Sequence, residues 1–224
     1  MARPSDTLQR SRLYLVCEGP GDPAALAALL EGALSGGVDL IQLRDKDATD
    51  ARLLRAAPIF REAADRRGAL FLINDRPDLV GPCRADGVHV GQDDASVAEA
   101  RRTAGPDAIV GLSTHAPDQL RAAHEAEGAD RPDYISVGPV WATPTKAGRP
   151  AAGIGYVRAA AEMPPENALP WFAIGGIDSS NIGDVTRAGA TRVVVVRAIR
   201  DAADPAAAAA ELRSALEQTV GAGA

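Results

Sequence analysis

YISVGPVWATPTKAG, residues 134–148, changes character halfway along. Its first half is apolar and β-branched, with Ile135, Val137 and Val140 around a Gly138-Pro139 break. That composition reads as a buried strand running into a turn. Its second half carries Thr143, Thr145 and Lys146. One strand thus delivers two hydroxyls and an ammonium to its C-terminal end, a set suited to holding an anion.

The same pattern recurs on both sides of this stretch. Continuous apolar runs at Arg12–Cys17, Val38–Arg44, Ala69–Asp75, Gly87–Gly91 and Ile109–Thr114 precede it, and Trp171–Ile177 and Arg192–Ile199 follow. Helical segments separate them. Pro23 opens one, with Leu26, Leu30 and Leu34 four apart before Gly36-Gly37. Thr49 caps the next, whose Pro58 predicts a kink or break. Ser96 and Glu99 have capping-box spacing. Pro117 starts another helix, a further one covers about 180–188, and Asp204-Pro205 opens the last, with Leu212, Leu216 and Val220 on one stripe.

Runs that are apolar throughout, rather than alternating, fit parallel strands covered on both faces. Eight of them with intervening helices predict a single (β/α)8 TIM barrel over residues 12–220, behind a flexible N-terminal segment 1–11. A doubly wound open sheet is the competing architecture. It lacks support because no GxGxxG follows the first strand.

Composition narrows the function. A net charge of −6 argues against a nucleic-acid surface, so an anionic substrate must be drawn in by a local cationic cluster. Cys17 and Cys83 sit in no metal-ligand spacing and make no disulfide framework, which reads as a cytoplasmic location. No signal peptide and no run long enough to span a bilayer are present, so no membrane partner is expected. A homo-oligomer is left open.

In such a barrel the active site lies at the C-terminal strand ends. Gln42, Arg44 and Lys46 come at the end of the second strand, and Arg44 and Lys46 share one face of an extended chain. With Lys146 the two cations surround one anion. Each also reads singly as a solvated charge. Asn74 and Asp75 end the third strand, and Asp94 follows the fourth. Asp75 and Asp94 make a two-carboxylate Mg2+ site once substrate oxygens complete it. The competing reading has each carboxylate capping a helix, with Asp93 the better cap. Ser113 ends the fifth strand. Gly175-Gly176 and Val196-Arg197, after the seventh and eighth, occupy the usual phosphate position. His89 reads as a hydrogen-bonded interior residue, His124 as a helix-surface residue, and Trp141 and Trp171 as packing residues. No Ser-His-Asp or Cys-His pair suggests a covalent nucleophile.

Taken in order, IQLRDK (41–46), LINDRPDL (72–79), ADGVHVGQDD (85–94), GLSTH (111–115), DYISVGPVWATPTK (133–146), AIGGI (173–177) and NIGDVTRAGA with VVRAI (181–199) resemble the thiamine-phosphate synthase family. The resemblance implies a transferase of thiamine biosynthesis. It would join 4-amino-2-methyl-5-hydroxymethylpyrimidine diphosphate to a thiazole (carboxythiazole) phosphate, giving thiamine phosphate and diphosphate by a dissociative, Mg2+-assisted substitution. It assigns Gln42, Arg44, Lys46, Asn74, Ser113 and Lys146 to the pyrimidine diphosphate, with Arg44, Lys46, Ser113 and Lys146 catalytic. It gives Thr143, Thr145, Gly176, Val196 and Arg197 to the thiazole phosphate, and Asp75 and Asp94 to Mg2+. Arg197 stands where many members carry Ser. Two other readings are a thiazole tautomerase of the same fold, which needs a His acid/base, and a non-catalytic sensor of thiamine phosphates.

Overall fold

A computed structural model describes residues 3–19, 21–143, 150–164 and 168–221, the last three in backbone alone. Thr145 and Lys146 lie outside the described residues, as does the side chain of Val220. Eight strands, β1 (Leu13–Cys17), β2 (Leu40–Leu43), β3 (Leu70–Asn74), β4 (Gly87–Val90), β5 (Ile109–Thr114), β6 (Tyr134–Val137), β7 (Trp171–Ile174) and β8 (Val193–Val195), close into one barrel in sequence order. Every neighbouring pair is parallel, including β8 against β1. Helices α2 (Pro23–Ser35), α3 (Asp50–Arg67), α4 (Val80–Cys83), α5 (Val97–Ala104), α6 (Pro117–Glu125), α7 (Gly153–Ala161), α8 (Ile182–Arg187), α9 (Arg197–Arg200) and α10 (Pro205–Gly221) connect and cover the strands. They come after the short α1 (Pro4–Arg10).

Strand alternation sorts the core into two parts. Leu13, Leu15, Ile41, Phe71, Ile73, Val88 and Val110 pack outward in one cluster with Leu26, Leu30, Leu53 and Phe60 of the helices. Tyr14, Val16, Leu40, Leu70, Leu72, Ile109, Tyr134, Phe172 and Val194 fill the barrel itself. Gly111 lets the filling fit. A Cβ there would stand 2.2 Å from the Tyr134 ring on the neighbouring strand. Further along the same inward rows the side chains turn polar at Gln42, Asn74, His89, Ser113 and Ser136. The barrel therefore has an apolar bottom and a polar top.

Five expectations need correction. Residues 4–10 of the N-terminal segment are helical rather than frayed. Leu8, 2% exposed, joins the barrel-filling cluster, and Arg192 donates to the carbonyls of Ser11 and Gln9. The segment plugs the open bottom, a role that its polar composition hides. Helix α3 passes through Pro58 without a break. Pro58 is exposed, so water can take the carbonyl it leaves unbonded. Strands β6 and β7 stop at Val137 and Ile174, short of the expected ends. Strand β8 stops at Val195, and Arg197 opens α9 instead of extending the strand. His124 is buried, 2% exposed, with Nδ1 2.8 Å from the Leu120 carbonyl one turn back. That contact pairs one ring nitrogen inside α6, where sequence position suggested the helix surface, while Nε2 is buried with no hydrogen-bond partner among the described residues.

Candidate active site

A cavity of about 630 Å³ opens at the C-terminal end of the barrel. Gln42, Arg44, Lys46, Asn74, Asp75, Asp94, Ser113, Thr143, Gly176, Val196 and Arg197 all line it. Eleven residues drawn from seven strand ends thus meet at one rim. Thr145 and Lys146 cannot be placed among them.

The rim divides by chemistry. On the β2–β4 side, Lys46 Nζ lies 3.1 Å from Asp75 Oδ2. Asp94 lies against the same carboxyl and also accepts the Gly91 N–H at 2.9 Å. Burial pushes the Asp75 carboxyl up. Lys46 pulls it down, and the neighbouring Asp94 pushes it up again. Asp75 also holds a left-handed backbone, φ +59°, with its N–H given to the His89 carbonyl. A non-glycine residue there carries backbone strain that surrounding contacts must hold in place. Neither carboxylate caps a helix. Ser96 caps α5, with Glu99 completing the reciprocal box, and no side chain caps α4. Two carboxylates pressed together, only one of them held by a lysine, suit a hard divalent cation with oxygen ligands.

Gln42 sits deeper on the same side, 2% exposed, and its Nε2 has no hydrogen-bond partner among the described residues. A buried amide donor left unmade costs about 1–3 kcal/mol. Its position on the cavity wall supplies the remedy, which is a ligand acceptor. Arg44 stands two residues beyond Gln42 on the same face and is only half-buried.

On the β6–β8 side the wall is mostly backbone. The Val140 and Trp141 N–H groups donate to the Ile174 and Gly175 carbonyls, locking the two strand ends together. Gly176 adopts φ +69°, and a Cβ there would stand 2.9 Å from the Trp141 Cβ. Only glycine fits both demands. Asn181 donates to the Gly176 carbonyl at 2.8 Å and holds that turn. Val196 precedes the short α9, whose first residue, Arg197, is exposed at the cavity mouth.

Reading strand ends alone missed the deeper wall. Tyr14, His89 and Ser136 also line the cavity there, and the strand-end residues Gln92 and His115 join its lining. His89 Nε2 lies 2.9 Å from Ser113 Oγ, and Gln92 Nε2 donates to the Ser113 carbonyl at 2.7 Å. His115 Nδ1 lies 2.6 Å from the Gly138 carbonyl. The signal for His89 and Ser136 was register, since each stands opposite a residue already singled out, Asn74 and Ser113, on the neighbouring strand, whereas Tyr14 carried only its inward parity. Trp141 and Trp171 are partly buried and pack against the outer core, as expected.

Fold and rim define a (β/α)8 barrel that binds anionic small molecules where its strands end. The family model for thiamine monophosphate synthase matches residues 13–199, and the chain belongs to that family. Thiamine-phosphate synthase of Thermobifida fusca (strain YX) is 49% identical over 209 residues, 93% of this chain and 94% of that one. The Acidothermus cellulolyticus enzyme of the same name is 48% identical over 210 residues, 94% and 97% of the two chains. Among solved structures, thiamine phosphate pyrophosphorylase from Pyrococcus furiosus superposes with a TM-score of 0.80 at 27% identity, covering 95% of this chain and 98% of that one. A 3-hexulose-6-phosphate synthase from Salmonella typhimurium, 19% identical at TM-score 0.66, shares the fold. Among the described residues no helix is long and apolar enough to cross a membrane.

Proposed function

We propose that the chain is a transferase that joins 4-amino-2-methyl-5-hydroxymethylpyrimidine diphosphate to a thiazole (carboxythiazole) phosphate, releasing diphosphate and forming thiamine phosphate. The observation that carries this reading is the shared wall of Gln42, Arg44, Lys46, Asp75 and Asp94, in a chain of this family. Gln42, with its spare amide donor, Arg44, Lys46, Asn74 and Ser113 bind the pyrimidine diphosphate. Thr143 and the backbone of Gly176, Val196 and Arg197 bind the thiazole phosphate. Thr145 and Lys146 join these two sets by family resemblance.

Asp75 and Asp94 would hold Mg2+, which when bound supplies positive charge to the leaving diphosphate oxygens. The protein's own part is electrostatic. As the bond from methylene carbon to diphosphate oxygen breaks, both electrons leave with the oxygen. Negative charge then grows within reach of Arg44, Lys46 and the Ser113 hydroxyl. Donors already in place contribute roughly 3–4 kcal/mol each when essential. The aminopyrimidine ring delocalises the positive charge left on the methylene. The thiazole nitrogen, held by the opposite wall, supplies the electron pair for the new carbon–nitrogen bond. Fixing both partners in one cavity removes the entropic cost of their encounter.

The test mixes purified protein, Mg2+ and both substrates and measures thiamine phosphate and diphosphate together. Equal amounts of the two products are expected. Diphosphate without thiamine phosphate, or neither product, overturns the reading.

A further inference from the structure

Below the rim a chain of polar atoms runs inward from Ser113, and the reaction as described leaves its inner members idle. Tyr14 Oη is 3.1 Å from Tyr134 Oη, which is 2.8 Å from His89 Nδ1, and His89 Nε2 is 2.9 Å from Ser113 Oγ. Ser136 Oγ–H donates to Ser113 Oγ at 3.4 Å. All five side chains are buried, His89 most exposed at 8%. The two phenols and Phe172 pack edge to face around the inner end. Burial pushes both phenols well up, so each keeps its proton.

A neutral imidazole has one donor and one acceptor nitrogen. Protons along this chain can therefore follow two orders. In the first, Ser113 donates to Nε2, Nδ1–H donates to Tyr134, and Tyr134 donates to Tyr14. The leftover hydrogen is then on Tyr14, walled in by aromatic edges. In the second, Tyr14 donates to Tyr134, Tyr134 donates to Nδ1, and Nε2–H donates to Ser113. The leftover hydrogen is now on Ser113, beside the cationic rim. A phenol is more acidic than an aliphatic hydroxyl and makes the stronger bond to an imidazole nitrogen. That difference selects the second order.

We propose that Tyr14 and Tyr134 are positioning residues that hold His89 as the neutral tautomer protonated on Nε2, so that His89 turns the Ser113 hydroxyl hydrogen into the cavity toward the anionic leaving group. The identity of that anion rests on the function proposed above; the proton order does not.

Nitrogen-15 NMR of the full chain reads the tautomer directly. The sequence has three histidines, and His115→Gln and His124→Gln variants assign their signals. The expected His89 pattern is a protonated Nε2 and a bare Nδ1, unchanged when inorganic diphosphate is added. A protonated Nδ1 with a bare Nε2, or a doubly protonated ring, overturns the proposal. Kinetics add a second arm. Tyr134→Phe removes the donor to Nδ1 and is expected to lower kcat about tenfold, the worth of one misdirected hydrogen bond. Once Ser113→Ala is present, adding Tyr134→Phe should cost less than twofold more. Losses that multiply show that Tyr134 acts through packing and refute the relay. Should Tyr134→Phe not fold, the wild-type spectrum alone still decides. Inactivity of the wild-type chain toward both substrates would sink the proposed function and leave the tautomer result standing.

Discussion

Asp94→Asn separates stability from function at the carboxylate pair. In the metal-free protein Asp75 is pushed up, first by burial, and Asp94 adds to the push while Lys46 opposes it. A carboxyl whose folded pKa is raised contributes stability that is full below its unfolded pKa and lost as pH rises through the folded value. The metal-free wild type should therefore lose stability as pH climbs from the ordinary carboxylate value of 3.8 through the raised one. Two unit charges at about 4 Å repel by about 1 kcal/mol in water-like surroundings, the end of the range that suits this pair because Asp94 is exposed. Asparagine removes that repulsion and can still accept the Gly91 N–H through its amide oxygen. For a chain of this size about 1 kcal/mol moves Tm by about 2–4 °C. Asp94→Asn should thus melt about 2 °C higher than wild type near pH 7 in chelator. Adding Mg2+ at a hundred times its Kd stabilises the wild type by about 2.7 kcal/mol. The variant should gain far less, and its turnover should fall at least about a hundredfold. Scanning calorimetry with and without Mg2+, beside product assays, measures both. A variant that melts lower in chelator, or that keeps the wild-type response to Mg2+, refutes the reasoning.

Three further outcomes follow from the same geometry. Leu8→Ala should cost about 2–4 kcal/mol in urea unfolding, because it empties a buried plug in the barrel floor, while kcat/KM stays within twofold of wild type; a cost under about 0.5 kcal/mol would return the segment to a frayed tail. Gln42→Leu should stabilise the free protein by about 1 kcal/mol by removing an unpaired buried donor, and raise KM for the pyrimidine diphosphate about tenfold; unchanged KM would mean the amide meets no ligand. Arg197→Ser should change KM for the thiazole phosphate less than about threefold, because the side chain is exposed at the mouth and the proposed contact is through the backbone; a larger loss that shrinks in high salt would assign the guanidinium to the phosphate.

Inheritance of the barrel from sequence was direct where one physical rule acted alone. The fully apolar runs at β1 and β8 announced coverage on both faces, and Thr49 and Ser96 announced the starts of α3 and α5. Residues two apart in an extended chain point the same way, so Arg44 and Lys46 were legible as one face. The illegible parts are those where a neighbour distant in sequence decides. Nothing local to Leu8 says that the barrel floor is open and that an apolar side chain will fill it. Arg197 looked like strand because VVVV precedes it, yet α9 begins there. A histidine on α6 looked solvated, yet it is buried, with one ring nitrogen paired to the carbonyl one turn back.

Parity also explains why the site was found at its rim and missed at its floor. Strand-end reasoning selects residues by position along the chain, so it reaches Asp75, Asp94 and Thr143 and stops. Tyr14, His89 and Ser136 sit one or two rungs deeper, within stretches that look like ordinary core. Their polar atoms are tolerated there because each finds another on a different strand, Tyr14 with Tyr134 across the barrel and His89 with Ser113 on the neighbouring strand. A polar residue at an inward position of a barrel strand is costly unless partnered, and its partner must also be inward. Applying that rule to β1, β4, β5 and β6 yields Tyr14, His89, Ser113, Tyr134 and Ser136 from sequence parity alone. The floor of the cavity was therefore legible in principle, through pairing between strands rather than through the ends of single ones.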